Sequence, residues 1–250
     1  MTSVATRPST WQVATPWALG AAFGLVPSLL PVSWVSALIV GLVSVILVQG
    51  WKVRAALTLF VAAEVCGLPW PTAPILAAAL YFALTPGALH RRWRDIGSTS
   101  RPRVAWTLVI LIAIAAGVAV VALDWTNIRG GYTFAFPVPP PWAFSFVALG
   151  AALLNALGEE ALWRGLLADV SGPLIGLRAA FIVQSLSFGL AHLHGIPNGP
   201  VGVIAAGVYS ALVYGISLRR GARGALVAHF LTDLVIFVVV VHFAQFAWNG

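Results

Sequence analysis

Charge is scarce in this chain: 8% of its 250 residues are Asp, Glu, Lys or Arg, against roughly 25% in an ordinary soluble domain. With 60% of the residues hydrophobic, a soluble fold of this length could not cover its surface, so a soluble globular domain is excluded. The same composition excludes intrinsic disorder. A single cysteine, Cys66, excludes a disulfide scaffold. Several signatures of membrane enzymes are missing too. There is no His-Glu-x-x-His for a zinc protease, no Gly-x-Ser-x-Gly, no Gly-x-Gly-Asp and no Walker motif. What remains is a polytopic membrane protein, and the mean hydropathy of +0.94 agrees.

A membrane span needs about 20 apolar residues, because the hydrocarbon core is ~30 Å thick and a helix rises ~1.5 Å per residue. Nine runs qualify, at 14–30, 32–49, 54–69, 72–89, 104–123, 142–168, 174–193, 200–218 and 225–246. All are expected to be helical, since lipid offers nothing to an unpaired backbone. The prolines at 69, 71 and 74 break the third and fourth runs, which leaves those two tilted or re-entrant. The expectation is an all-α transmembrane bundle of about eight to nine spans.

The basic residues orient it. Starting inside, one side of the membrane receives twelve of the fourteen Lys and Arg residues, five of them in the 90–103 loop. Arg129 falls on the other side, and Arg164 lies within a span. The positive-inside rule then places the N-terminus inside and the C-terminus outside. The net charge of +7 reads as loops beside anionic lipid rather than as a nucleic-acid surface. A stiff stretch with Pro137, Pro139, Pro140 and Pro141 separates residues 1–141 from 142–246. The first part reads as accessory spans with the basic loop, the second as the chemically active core.

Ionisable groups inside spans cost ~2.5–3.5 kcal/mol each on insertion scales and are functional candidates. Of seven acidic residues, Asp95, Asp124 and Asp169 sit in loops or at span ends. Glu64, Glu159, Glu160 and Asp233 lie inside apolar runs, as do Arg164, His192, His229 and His242. Glu160 and Arg164 are four apart and pair on one helical face. Glu159 points about 100° away, on the stripe of Asn155 and Trp163, with no local cation. His229 and Asp233 are again four apart, where a carboxylate fixes the imidazole tautomer. His192 closes a stripe with Ser185 and Phe188. His194 belongs to an outer loop and His242 to packing or the interface, while Glu64 has no partner in sequence and no assigned role.

The order Glu-Glu-x-x-x-Arg (Glu159, Glu160, Arg164), Phe-x-x-x-His (Phe188, His192) and His-x-x-x-Asp (His229, Asp233) resembles the CAAX protease and bacteriocin-processing (CPBP, or Abi) family. This is a family of intramembrane proteases that includes type II CAAX prenyl endopeptidases. The resemblance covers about residues 142–240. It implies an all-helical intramembrane endopeptidase that cuts near the C-terminus of a membrane-associated peptide or protein, prenylated in eukaryotic members. The arginine-rich, lysine-poor usage fits a prokaryotic plasma membrane.

Amide hydrolysis needs an activated water, support for the oxyanion and a proton for the leaving amine. Glu159 is the expected base, with Glu160 held by Arg164, although the two glutamates could exchange roles. His192 shares the water, and His229, oriented by Asp233, supports the oxyanion. Glu159, His192 and His229 could equally hold a zinc ion with one open position; sequence leaves metal-assisted and metal-free chemistry both open. The rival reading is a non-enzymatic scaffold or a proton-coupled transporter, which transporters' repeated halves would favour; this chain has no such repeat. One geometric demand follows. Counted from the inner ends of their helices, Glu159 is ~15 Å deep, His229 ~7 Å and His192 ~20 Å. The helix carrying His192 is therefore expected to tilt or to begin late, at Gly172, Gly176 or Gly189.

Overall fold

The computed structural model describes residues 9–30, 32–68, 70–87, 106–129 and 140–248. His90, Asp95, the 90–103 loop, Pro137 and Pro139 lie outside them. Among the described residues every regular element is a helix: α1 Thr10–Leu29, α2 Trp34–Leu47, α3 Trp51–Val65, α4 Thr72–Leu84, α5 Trp106–Leu123, and a short α6 Trp125–Arg129. A single turn, Pro141–Ala143, leads into α7 Phe144–Glu159, which continues as a π-helical segment Glu160–Leu167; α8 Ala168–Ala191 and α9 Gly199–Trp248 complete the chain.

Helix ends follow local chemistry. α1 starts four residues earlier than its apolar run because Ser9 and Gln12 form a capping box. The Gln12 amide donates to Ser9 Oγ at 3.3 Å, and the Ser9 amide donates to Gln12 Oε1 at 2.8 Å. Two of the expected breaks prove to be kinks in continuous helices. Gly176 (φ 78°) interrupts α8 and Gly221 (φ 71°) interrupts α9; a side chain at either φ would be strained. The second half of α8 thus begins at 177 rather than 174, at one of the three glycines singled out for that purpose. α9 carries both of the last two expected spans on either side of Gly221. Helices α5, α7–α8 and α9 contain stretches long and apolar enough to cross a membrane, and α2 and α4 are shorter apolar helices.

The bundle turns many large apolar side chains outward as well as inward. Large apolar side chains face outward, for example Ile39 and Ile46 on α2, Leu111 and Val118 on α5, and Ile204 and Val208 on α9. Small ones face inward: Ala148, Ala152 and Ala156 recur every four residues along α7 and are fully buried. In lipid there is no hydrophobic drive between helices, so close approach of small residues supplies the packing. Gly189 on α8 lets α9 come close, since a Cβ there would stand 2.5 Å from the Val203 carbonyl oxygen of α9.

The two parts of the chain interleave. α1 packs along α8, α5 along α9, and α4 against the π segment. Ser28 of α1 donates to the Leu190 carbonyl, two residues before His192. Thr232 Oγ1 of α9 donates to the Ala113 carbonyl of α5 at 3.0 Å. The Tyr81 hydroxyl of α4 donates to Asp169 Oδ2 at 2.6 Å. His194 is exposed in the loop after α8, and His242 packs edge-on against Phe144 with centroids 6.4 Å apart.

Candidate active site

Three elements carry the expected residues: the end of α7 and its π turn (Glu159, Glu160, Arg164), the end of α8 (His192) and the second half of α9 (His229, Asp233). The π turn explains how two adjacent glutamates serve one centre. With i→i+5 pairing, successive side chains diverge less than on an α-helix, and such turns concentrate at functional sites. Both carboxylates therefore reach His229.

His229 is the hub and is 1% exposed. Its Nδ1 lies 2.7 Å from Glu160 Oε1, and its Nε2 lies 3.2 Å from Glu159 Oε2 and 3.6 Å from Asp233 Oδ1. Glu160 Oε1 also takes Arg164 Nη1 at 3.0 Å, the i,i+4 pair expected from sequence. The expected His229–Asp233 pair is present, but it is the longest of these contacts. The close partner of His229 is Glu160, and Asp233 is held by Asn155, whose Nδ2 donates to Asp233 Oδ2 at 3.0 Å.

Arg164, 4% exposed, is tied from three sides. Its guanidinium donates to Ser210 Oγ at 3.0 Å, lies 4.6 Å over the Phe188 ring, and pairs with Glu160. Ser210 in turn donates to Gln184 Oε1 at 3.1 Å. Such a network makes an ionised group tolerable in a low-dielectric interior.

Phe188 organises the aromatic side. It stacks on His192 (centroids 4.5 Å apart, 27° between planes) and meets His229 edge-on at 5.9 Å. Trp163, fully buried, packs 5.2 Å from Phe188 and donates its indole N–H to Ser187 Oγ at 2.9 Å. His192 Nδ1 stands 2.8 Å from the Phe188 carbonyl oxygen. A carbonyl can only accept, so Nδ1 carries the hydrogen and Nε2 keeps its lone pair. His192 and His229 thus contact the same Phe188 ring. The helix break at Gly176 and the late start of the second half of α8 accompany this convergence.

The two glutamates are not equivalent. Glu160 Oε1 is engaged by both Arg164 and His229. Glu159 is 2% exposed, and its Oε2, although 3.2 Å from His229, makes no aligned hydrogen bond. It is a buried carboxylate oxygen with acceptor capacity left. Tyr209 sits beside this group with its ring 5.5 Å from His229, and its buried hydroxyl makes no aligned hydrogen bond.

His229 Nδ1 faces Glu160, and its Nε2 faces Glu159 and Asp233. Among the described residues no three His, Cys, Asp or Glu side chains are grouped to hold a metal ion.

Sequence reasoning missed Asn155 as a participant, and it missed Ser210, Gln184, Tyr209 and Trp70. These lie 20 to 85 residues from their partners. Only the Asn155 stripe with Glu159 gave a signal.

Residues 141–235 match the family model described as Type II CAAX prenyl endopeptidase Rce1-like. That stretch runs from the turn before α7 to just past Asp233 and contains all six candidate residues. No curated protein and no solved structure matches the chain. Over these C-terminal residues the chain is similar to the type II CAAX prenyl endopeptidase Rce1-like family, and its long apolar helices mark an integral membrane protein.

Proposed function

We propose that the protein is an intramembrane endopeptidase that hydrolyses a peptide bond of a membrane-held substrate with water activated by Glu159 and His192. The observation that carries this reading is the asymmetry of the glutamates. Glu160 is tied to Arg164 and His229, whereas Glu159 keeps a buried acceptor oxygen within reach of the same histidine.

The reaction divides among these groups. A water between Glu159 Oε2 and His192 Nε2 loses a proton to the carboxylate as its oxygen attacks the scissile carbonyl carbon. His229, fixed by Glu160 and Asp233, supports the oxygen that becomes negative. The proton held on Glu159 passes to the leaving nitrogen as the C–N bond breaks. Arg164 pairs with Glu160 and holds it in place. In this reading Glu160 is a positioning residue and Glu159 the base. We propose the metal-free form of this chemistry, with Glu159 as the base.

The substrate class is a peptide or protein anchored in the same bilayer, and a lipidated C-terminal segment is the first to test. The distribution of basic residues supports a prokaryotic plasma-membrane protein with its N-terminus inside.

The test reconstitutes the full chain in vesicles with a library of membrane-anchored, prenylated and unprenylated peptides, and compares Glu159→Ala, Glu160→Ala and His192→Ala. The expected result is cleavage that all three variants abolish and that survives exhaustive chelation. Cleavage untouched by the three variants would overturn the peptidase assignment, and proton-coupled uptake lost in the same variants would favour the transporter. Stoichiometric zinc lost together with activity would overturn the metal-free form.

A further inference from the structure

We propose that Trp70, acting through Asn155, is a positioning residue for the Asp233–His229 pair, so that the corner between α3 and α4 is part of the active site. The inference rests on the peptidase reading for its catalytic consequence and on geometry for the link itself.

Four side chains form a line. Trp70 Nε1 donates to Asn155 Oδ1 at 2.7 Å, Asn155 Nδ2 donates to Asp233 Oδ2 at 3.0 Å, and Asp233 Oδ1 lies 3.6 Å from His229 Nε2. The two ends of a carboxamide are chemically distinct: its oxygen only accepts and its NH2 only donates. An indole N–H only donates, so it can bind only the oxygen end. Trp70 therefore selects the one orientation of Asn155 in which the NH2 meets the Asp233 carboxylate. Turning the amide over would set oxygen against carboxylate and N–H against N–H. At Asp233 the bond from Asn155 is shorter than the contact to His229. The aspartate thus takes its placement from the amide.

The corner is itself fixed against the catalytic helix. The Trp70 ring lies 6.1 Å from the ring of Trp163, which is buried and bonded to Ser187. At Gly158, the residue before Glu159, a Cβ would stand 3.3 Å from Pro71 Cβ and 3.1 Å from Ile75 Cγ1. The start of α4 thus abuts α7 one residue from the proposed base. Trp70, Pro71 and Ile75, the other side of this contact, lie outside residues 141–235, the stretch that carries the family match.

The test is a double-mutant cycle in the full-length, detergent-purified protein. Trp70→Phe keeps a ring and removes the N–H; Asn155→Leu keeps the volume and removes both polar ends. Two readouts are taken on wild type, both single variants and the double variant. One is kcat and KM on whichever anchored peptide the wild type cleaves. The other is the ring 15N signal of His229, identified by its loss in His229→Gln. Asn155→Leu should lower kcat on the order of 10-fold, the scale of outer-shell partners. Trp70→Phe should lower kcat by less, and the double variant should be no worse than Asn155→Leu alone. KM should stay within about twofold, as expected when ground-state binding is untouched. The His229 signal should move in both single variants and move no further in the double. Single losses that multiply in the double variant, or a Trp70→Phe protein unchanged in both readouts, would overturn the proposal. If no cleavage depends on Glu159, the peptidase reading fails while the 15N cycle still decides the link: a non-additive shift upholds it and an additive shift overturns it.

Discussion

The two ends of this chain treat the same side chain differently. In the N-terminal half, Glu64 stands near the end of α3, and among the described residues its carboxylate has no hydrogen-bond or ion-pair partner. In the C-terminal half, Glu159, Glu160 and Asp233 share one histidine, one arginine and one asparagine. The side-chain bonds of the N-terminal helices are mostly local, as in the Ser9–Gln12 and Ser33–Ser36 caps. Those that build the C-terminal site run between helices, as from Ser210 to Gln184 and from Asn155 to Asp233. An ionisable group in lipid is costly wherever it stands, but only where several helices contribute partners does it become a site. The N-terminal half still takes part: α1 backs the helix of His192, and Trp70 reaches the Asp233 side of the centre.

The contrast can be broken or sharpened by substitution, starting with the largest effect. Glu159→Gln should reduce cleavage by about 10²–10⁴-fold, the range for loss of a general base, with the melting temperature largely retained; a progress curve on an anchored peptide measures it. Arg164→Met leaves Glu160 buried without its cation and should destabilise the protein by about 3–5 kcal/mol, read by thermal unfolding in detergent. Arg164→Lys should recover only part of this, because Lys cannot serve Glu160, Ser210 and the Phe188 face together. Gly176→Ala places a Cβ at φ 78° and should cost about 1 kcal/mol or more, with a fall in kcat as the second half of α8 shifts His192. Glu64→Gln should be the mildest change. Cleavage should stay within about twofold and stability within about 0.5 kcal/mol, as for a side chain outside any network. A Glu64→Gln loss as large as that of Glu159→Gln would erase the comparison.

Much of the site was legible because helices repeat. Glu160 with Arg164, and His229 with Asp233, are four apart, and that spacing alone brings each pair together. The fold class was legible from the apolar runs. The rest depends on neighbours that one-dimensional spacing does not encode. The π turn that swings Glu159 and Glu160 toward one histidine has no signature in Glu159-Glu160-Ala161-Leu162-Trp163-Arg164. Asn155, Ser210, Gln184 and Trp70 are ordinary polar or aromatic residues until another helix arrives beside them. Periodicity also overrated Asp233 as the partner of His229, because it could not see that Glu160 would come closer and that Asn155 would hold the aspartate. Gly176 was readable as a weak point, whereas Gly221, which kinks α9, was not singled out.

Cleavage of a membrane-anchored peptide by the reconstituted full-length chain, wild type against Glu159→Gln, with metal content measured on the same samples, tests the account most directly. The prediction is turnover by the wild type that persists after chelation with no stoichiometric metal, and at least about 100-fold less turnover in the variant. Equal turnover by the two proteins would contradict it.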